Sequence, residues 1–244
     1  MKQDKYVNGK KILVVSATAE IARDFVLSLD QEDNTIYLTG RNQNKLSEIV
    51  SLFKKAQCKS ILLDFTDDSY INKLKEFIDN IDGLVLFPGA YETIRVSRVY
   101  NDRKENLINL VFKAPVDIIS TLLNAKVINR GASIVFISSI AAESVWIGNS
   151  IYGALKLGVE RFCKSVALEY SGQKIRCNSL RLGFIESSLS EGISREYITE
   201  SKKNYPLGEG VPSDIVGILH FLLDDSSRWI TGQIISVDGG FLCN

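Results

Sequence analysis

Histidine is all but missing from this 244-residue chain, His220 being the single instance. An imidazole-based metal site or a histidine-activated nucleophile is therefore hard to build, and no metal site is expected. Cysteine is sparse too. Cys58, Cys163, Cys177 and Cys243 are scattered without CxxC spacing, too few for a disulfide scaffold, and they fit a reducing compartment. No apolar run approaches the roughly 20 residues of a membrane span, and the opening MKQDKYVNGKK has no apolar core of the secretory kind. A soluble, cytoplasmic protein is expected. Net charge is also lacking, since 29 acidic and 29 basic residues balance and interleave. Neither nucleic acid nor a membrane surface is an expected partner.

What is present is a rhythm of short apolar runs alternating with longer stretches of helical period. Strand patterns fall at 12–16, 35–39, 60–63, 83–87, 133–138, 176–180 and 234–237, mostly rich in Ile, Val and Leu. Helical patterns fill the gaps at 20–29, 43–55, 68–80, inside 98–129, and at 150–170 and 212–224. Such alternation is the mark of βαβ units around a parallel sheet buried on both faces. The expected fold is α/β, one domain over residues 1–244, doubly wound around about seven parallel strands with helices on both faces. The stretch 186–210 breaks the rhythm with Ser, Glu, Lys and Tyr, and reads as a substrate flap.

The chemistry concentrates near the middle of the chain. Tyr152 and Lys156 are four residues apart at the start of a helical pattern, which sets them on one face within reach of a common ligand. A phenol titrates near pH 10, and a nearby ammonium favours its ionised form, so the pair suits proton transfer. Ser139 ends the strand SIVFISS, at the carboxyl edge where parallel sheets bind ligands. A hydroxyl there can orient a carbonyl oxygen. YxxxK by itself also occurs on solvated helix faces; the serine at the strand end is what adds specificity.

Several blocks, in order, resemble the short-chain dehydrogenase/reductase family over nearly the whole chain. IYGALKLGVERFCKSVALEYSGQKIRCNSLRLGFIES is similar to the family's active-site helix, sixth strand and nicotinamide loop. YPLGEGVPSDIVGILHFLLDDSSRWITGQIISVDGG is similar to its C-terminal signature. The resemblance implies a Rossmann-like fold and an oxidoreductase that interconverts a carbonyl and a secondary alcohol by hydride transfer. It implies Tyr152 as general acid/base, Ser139 as the group polarising the substrate carbonyl, and Lys156 as the residue that tunes Tyr152 and holds the nicotinamide ribose. Gly183 and Ile185 are implied to line the nicotinamide, with Leu182 replacing the usual proline. A homodimer or homotetramer is implied, pairing the helix of residues 116–127 and the Tyr152 helix across a two-fold axis. The pocket would be lined by 141–146, which includes Glu143 and Trp146, by 184–189 with Glu186, and by the flap with Tyr197.

The cofactor positions depart from the family pattern in places. The turn after the first strand, expected to carry the pyrophosphate through Ser16, Ala17 and Ile21, reads SATAEIA, with Ala17, Glu20 and Ala22 where the family has glycines. A carboxylate roughly 5 Å from a phosphate charge costs on the order of 3 kcal/mol at an effective dielectric of about 20 before screening. Glu20 could equally sit in the first helical turn and face solvent. Arg41 in LTGRN stands where NADP-preferring members hold the 2′-phosphate, so NADP(H) is favoured over NAD(H). Asp64 matches the adenine-contacting aspartate, and an acidic helix cap would look the same. Gly89 is kept in LFPGA, where Leu86 and Phe87 replace asparagines. The family's relay asparagine falls on Val111, or on Asn109 if two residues are inserted. Together these departures define the alternative, a non-catalytic binding or scaffold protein that has lost the dinucleotide. Trp146 and Trp229 read as packing anchors, with Trp146 also placed to wall the substrate pocket. His220 reads as a satisfied core or interface histidine, and Cys243 as a small hydrophobe at an interface.

Overall fold

The structure, a computed structural model, describes residues 7–67, 69–87, 89–99, 103–185 and 203–243. Among the described residues seven strands make one sheet: β1 (Lys11–Val15), β2 (Thr35–Gly40), β3 (Gln57–Leu62), β4 (Ile81–Leu86), β5 (Ile128–Ser139), β6 (Arg176–Leu182) and β7 (Ile234–Val237). Every pairing is parallel, and the order is β3-β2-β1-β4-β5-β6-β7. The helices are α1 (Arg23–Ser28), α2 (Gln43–Leu52), α3 (Tyr70–Phe77), α4 (Arg103–Ile108), α5 (Ala114–Asn124), α6 (Ser150–Glu169) and α7 (Val216–Leu223).

The alternation of side chains along each strand feeds two cores. Leu13, Val15, Leu84, Leu86, Ile134 and Phe136 face one side, where α3, α5 and α6 cover them through Leu74, Ile118, Leu122 and Val159. Ile12, Val14, Val85, Val135 and Ile137 face the other, against Phe25 and Val26 of α1, Leu46 of α2 and Leu219 of α7. A strand buried on both faces must be apolar throughout, which is why these runs stand out in sequence. β3 lies at the sheet edge and exposes Gln57, Lys59 and Leu62. Its polar start hides it, and it begins at Gln57, earlier than its apolar run suggests. β5 likewise begins at Ile128, before its apolar stretch, because Asn129 is tied through its amide to Asp82 Oδ1 at 2.7 Å beside β4.

Between α4 and α5 the helix widens into one π-turn, Asn109–Lys113. The continuous span Lys104–Asn124 is long and apolar enough, by length and composition, to cross a membrane. Lys113 and Asp117 interrupt it, so it is not an unbroken apolar run in the sequence. Within the fold its residues Leu107, Val111, Ile118 and Leu122 are buried.

Reversal of strand order at β1 and β4 opens a crevice at the carboxyl ends of those strands, where doubly wound sheets bind their ligands.

Candidate active site

Three consecutive residues at the end of β5 hold three residues spaced four apart along α6. The Ser139 hydroxyl hydrogen-bonds the Tyr152 phenol. The carbonyl of Ile137 accepts a bond from the Lys156 ammonium at 2.8 Å. Ser138 Oγ donates to Glu160 Oε1 at 2.8 Å. A spacing of four keeps the helical partners on one face, so the strand end and the helix meet residue for residue. Gly153 permits this approach: a Cβ there would collide with the backbone carbonyl oxygen of Ala141, in the short turn that follows Ser139.

The phenol of Tyr152 is half-buried. Its ring stands edge-on to Tyr91, with centroids 5.0 Å apart at 86°, and Trp146 Nε1 donates to the Tyr91 hydroxyl at 3.4 Å. Val111 and Leu107 are buried in the cluster that Tyr152, Ile151 and Leu155 pack against. Burial, offset in part by the Ser139 hydrogen bond and reinforced by Tyr91, pushes Tyr152 up to about 12. The expectation that Lys156 depresses this phenol is not met. The ammonium lies 5.7 Å from the ring centroid, and burial is the largest influence on the phenol. Lys156 is itself buried, which brings it down to about 8, with Glu160 opposing the fall.

Glu160 anchors a polar network behind Lys156. Its carboxylate accepts from Arg181 Nε at 3.0 Å and from a terminal guanidinium nitrogen at 2.7 Å, besides the Ser138 bond. The other terminal nitrogen of Arg181 pairs with Glu143 on the loop after Ser139.

The crevice between β1 and β4 forms a cavity of about 260 Å³ lined in part by Ser16, Glu20, Ile21, Arg41, Lys45 and Gly89. Ser16 carries the turn at φ 61°, a left-handed conformation more usual for glycine. The loop is pinned to β2: Ser16 N donates to Thr39 Oγ1 at 3.2 Å and Ala17 N to Thr39 O at 2.8 Å. Gly40, at the end of β2, has no room for a side chain, because a Cβ would come within 2.8 Å of Thr18. Beyond it the rim is basic, with Arg41 and Lys45 and with Asn42 capping α2 through a bond from Lys45 N at 3.0 Å. These residues fit a phosphate-bearing adenosine at the end of β2, while Glu20 in the same cavity works against added negative charge.

A family model described as enoyl-(acyl carrier protein) reductase matches residues 15–242. A 3-oxoacyl-(acyl-carrier-protein) reductase of Thermotoga maritima is 27% identical over 243 residues, covering 97% of this chain and 99% of that one. A tropinone reductase homolog of Arabidopsis thaliana is 29% identical, covering 97% and 93%. The solved structure of a Serratia marcescens short-chain dehydrogenase/reductase superposes with a TM-score of 0.87 at 20% identity, covering 96% of this chain and 98% of that one. The chain belongs to the short-chain dehydrogenase/reductase family. As such it is an NAD(P)-dependent oxidoreductase acting on the CH–OH/C=O pair.

In this short-chain dehydrogenase/reductase the structure brings Ser139, Tyr152 and Lys156 together, and it places Ser16, Ile21, Arg41 and Gly89 around one cavity. Ala17 is buried against the core rather than facing that cavity. Asp64 does not cap α3; its Oδ1 accepts from Thr66 N at 2.9 Å and Thr66 Oγ1 at 2.8 Å, closing a turn after β3, and these bonds hold its carboxyl below the usual range. Gly183 N donates to Val237 O at 3.0 Å, and a Cβ at Gly183 would press on Asp238 backbone. Ile185 forms a lone parallel bridge with Gly210. Leu182, in place of the family's proline, extends β6 by pairing with both Ser139 and Val237. Val111, not Asn109, is buried beside Tyr152. Residues 186–202 of the expected flap, Glu186 and Tyr197 among them, lie outside the described residues.

One expectation fails elsewhere. Trp229 is no packing anchor, being 95% exposed, because Ser227 and Ile230 turn inward around it. Cys243 is exposed in the single chain. His220 is a satisfied core residue: Nδ1 accepts from Val7 N at 3.0 Å, and Nε2 lies 2.7 Å from Ser28 Oγ. Since Ser28 Oγ already donates to Phe25 O at 2.6 Å, the proton sits on Nε2. Sequence reading missed Tyr91, Lys45, Glu160 and Arg181. Of these, only Glu160 carried a signal, continuing the four-residue spacing of Tyr152 and Lys156.

Proposed function

We propose that this protein is an NADP(H)-dependent oxidoreductase that interconverts a carbonyl and a secondary alcohol, with Tyr152 as the general acid/base. The observation that carries this reading is the meeting of Ser139, Tyr152 and Lys156 at the carboxyl end of β5, beside the switch-point crevice. Ser139 holds and polarises the substrate oxygen, and the Tyr152 hydroxyl gives that oxygen a proton in reduction and takes it back in oxidation. Bound at the crevice, NADP(H) supplies the hydride to the substrate carbon or removes it. Lys156 binds the ribose hydroxyls. A phenol near 12 is protonated at neutral pH, the form that reduction requires.

NADP(H) is preferred over NAD(H) because β2 ends in Gly40 followed by Arg41, with Lys45 on the same rim and no acidic residue at the end of that strand to clasp a free ribose diol. Ser16 and Ile21, either side of the core-facing Ala17, make the pyrophosphate turn, Asp64 and Gly89 flank the adenosine, and Gly183 and Ile185 border the nicotinamide. The chain acts as one domain over 1–244, with 186–210 as its substrate flap, and assembles as a homodimer or homotetramer. Tyr91 and Trp146 form an aromatic wall beside the reacting phenol.

The test is NADPH oxidation, followed by its absorbance, across a carbonyl panel that includes 3-oxoacyl thioesters. At least one carbonyl is expected to be reduced, and Tyr152→Phe is expected to lower kcat by about a hundredfold or more. No turnover with any carbonyl, or equal turnover in the variant, contradicts the reading.

A further inference from the structure

We propose that Glu160 is a positioning residue for Lys156: its carboxylate, fixed one helical turn away by Ser138 and Arg181, keeps the Lys156 ammonium charged and seated at the end of β5. This rests on the reading of Tyr152 and Lys156 as the reacting pair. The geometry is a ladder in which Ser139, Ser138 and the Ile137 carbonyl hold Tyr152, Glu160 and Lys156, respectively, on a single face of α6.

Burial alone favours a neutral lysine, because a charged amine loses its hydration and a neutral amine loses far less. Lys156 is 3% exposed, and that burial lowers it from its ordinary value. Ile137 O supplies one acceptor but no net charge. The opposing charge comes from Glu160, itself 3% exposed. Burial raises the Glu160 carboxyl above its ordinary value, and Ser138, Lys164 and Lys156 oppose part of that rise. Three donor bonds, one from Ser138 and two from Arg181, fill its oxygens and favour the ionised form.

The charged and titratable groups around this centre are Lys156 and Lys164 on α6, Arg181 on β6, Asp238 after β7, and Glu143 across Arg181. Arg181 therefore also ties the carboxylate behind Lys156 to the loop that follows Ser139. Glu143 is 57% exposed there, so the outer end of the chain of charges is open to solvent while its inner end is dry.

The experiment follows the Lys156 side chain by NMR in the full-length protein carrying isotope-labelled lysine, with Lys156→Met for assignment. The wild-type midpoint is expected at about 8. Glu160→Gln is expected to lower it by about one pH unit or more, and Glu160→Asp to restore most of the difference. If Glu160→Gln does not fold, Ser138→Ala is read in its place, with a smaller shift in the same direction. An unchanged midpoint in a folded variant, even with a lowered melting temperature, overturns the proposal and leaves Glu160 as a brace. A shifted midpoint in a protein that reduces no carbonyl supports the coupling while refuting the proposed reaction. Where the enzyme does turn over, the alkaline limb of its kcat/KM profile is expected to move down with the same midpoint.

Discussion

A buried lysine next to a half-buried phenol makes the site sensitive to pH in two opposite senses. Lys156 titrates at about 8 in the fold against 10.5 in the open chain. From about pH 8 to 10.5 the unfolded chain therefore holds one more proton than the native state, and stability rises with pH through that window. The full change is about 3 kcal/mol, since each unit of difference is worth about 1.4 kcal/mol. Tyr152 works the other way: held at about 12 against 10, it makes the native state the better proton holder above pH 10, so stability is lost as pH climbs further. Urea unfolding of Lys156→Met is expected to show a flatter pH dependence between 8 and 10 than the wild type. Equal slopes would mean that Lys156 is hydrated in solution. Of these residues the sequence announces Ser139, Tyr152 and Lys156, because their spacing survives without knowledge of the fold. Tyr91 and Arg181 stay hidden, since each reaches the site only through tertiary contact, Arg181 by the pairing of β6 with β5.

Among the elements, α6 carries most of the burden, and Gly153 sets how close it lies to the strand end. Gly153→Ala drives a methyl group into the Ala141 carbonyl, a backbone atom that cannot swing aside. The expected cost is about 1–3 kcal/mol of stability together with separation of Tyr152 from Ser139, seen as a lowered melting temperature and a fall in kcat. A fully active, equally stable variant would show that the helix end can shift without loss. Apolar runs reveal the central strands because those strands are buried on both faces. The edge strand β3 and the first turn of β5 escape that criterion, being polar where they meet solvent or side-chain amides. The π-turn at Asn109–Lys113 was equally illegible, because a widened turn leaves no composition signal. It is also the turn that contains Val111, buried beside Tyr152 where a polar relay residue is the family expectation.

At the scale of the whole molecule, a doubly wound sheet fixes where a nucleotide must lie, and local chemistry decides whether it binds. Sheet order, register and switch point follow from the βαβ rhythm, and the family match runs over residues 15–242. What the rhythm does not set is the balance inside the crevice between Arg41 and Lys45 on one side and Glu20 on the other. Ser16, with its left-handed backbone, shows that the turn is made without a glycine at that position. We propose that the basic rim prevails and that the site takes NADP(H). Calorimetric titration of nucleotide-stripped protein with NADPH and with NADH, at moderate salt, tests this most directly. Micromolar NADPH binding that weakens about tenfold or more in Arg41→Ala, with NADH bound less tightly, is the predicted result. Binding of neither nucleotide, or equal binding of both with no effect of Arg41→Ala, would contradict it.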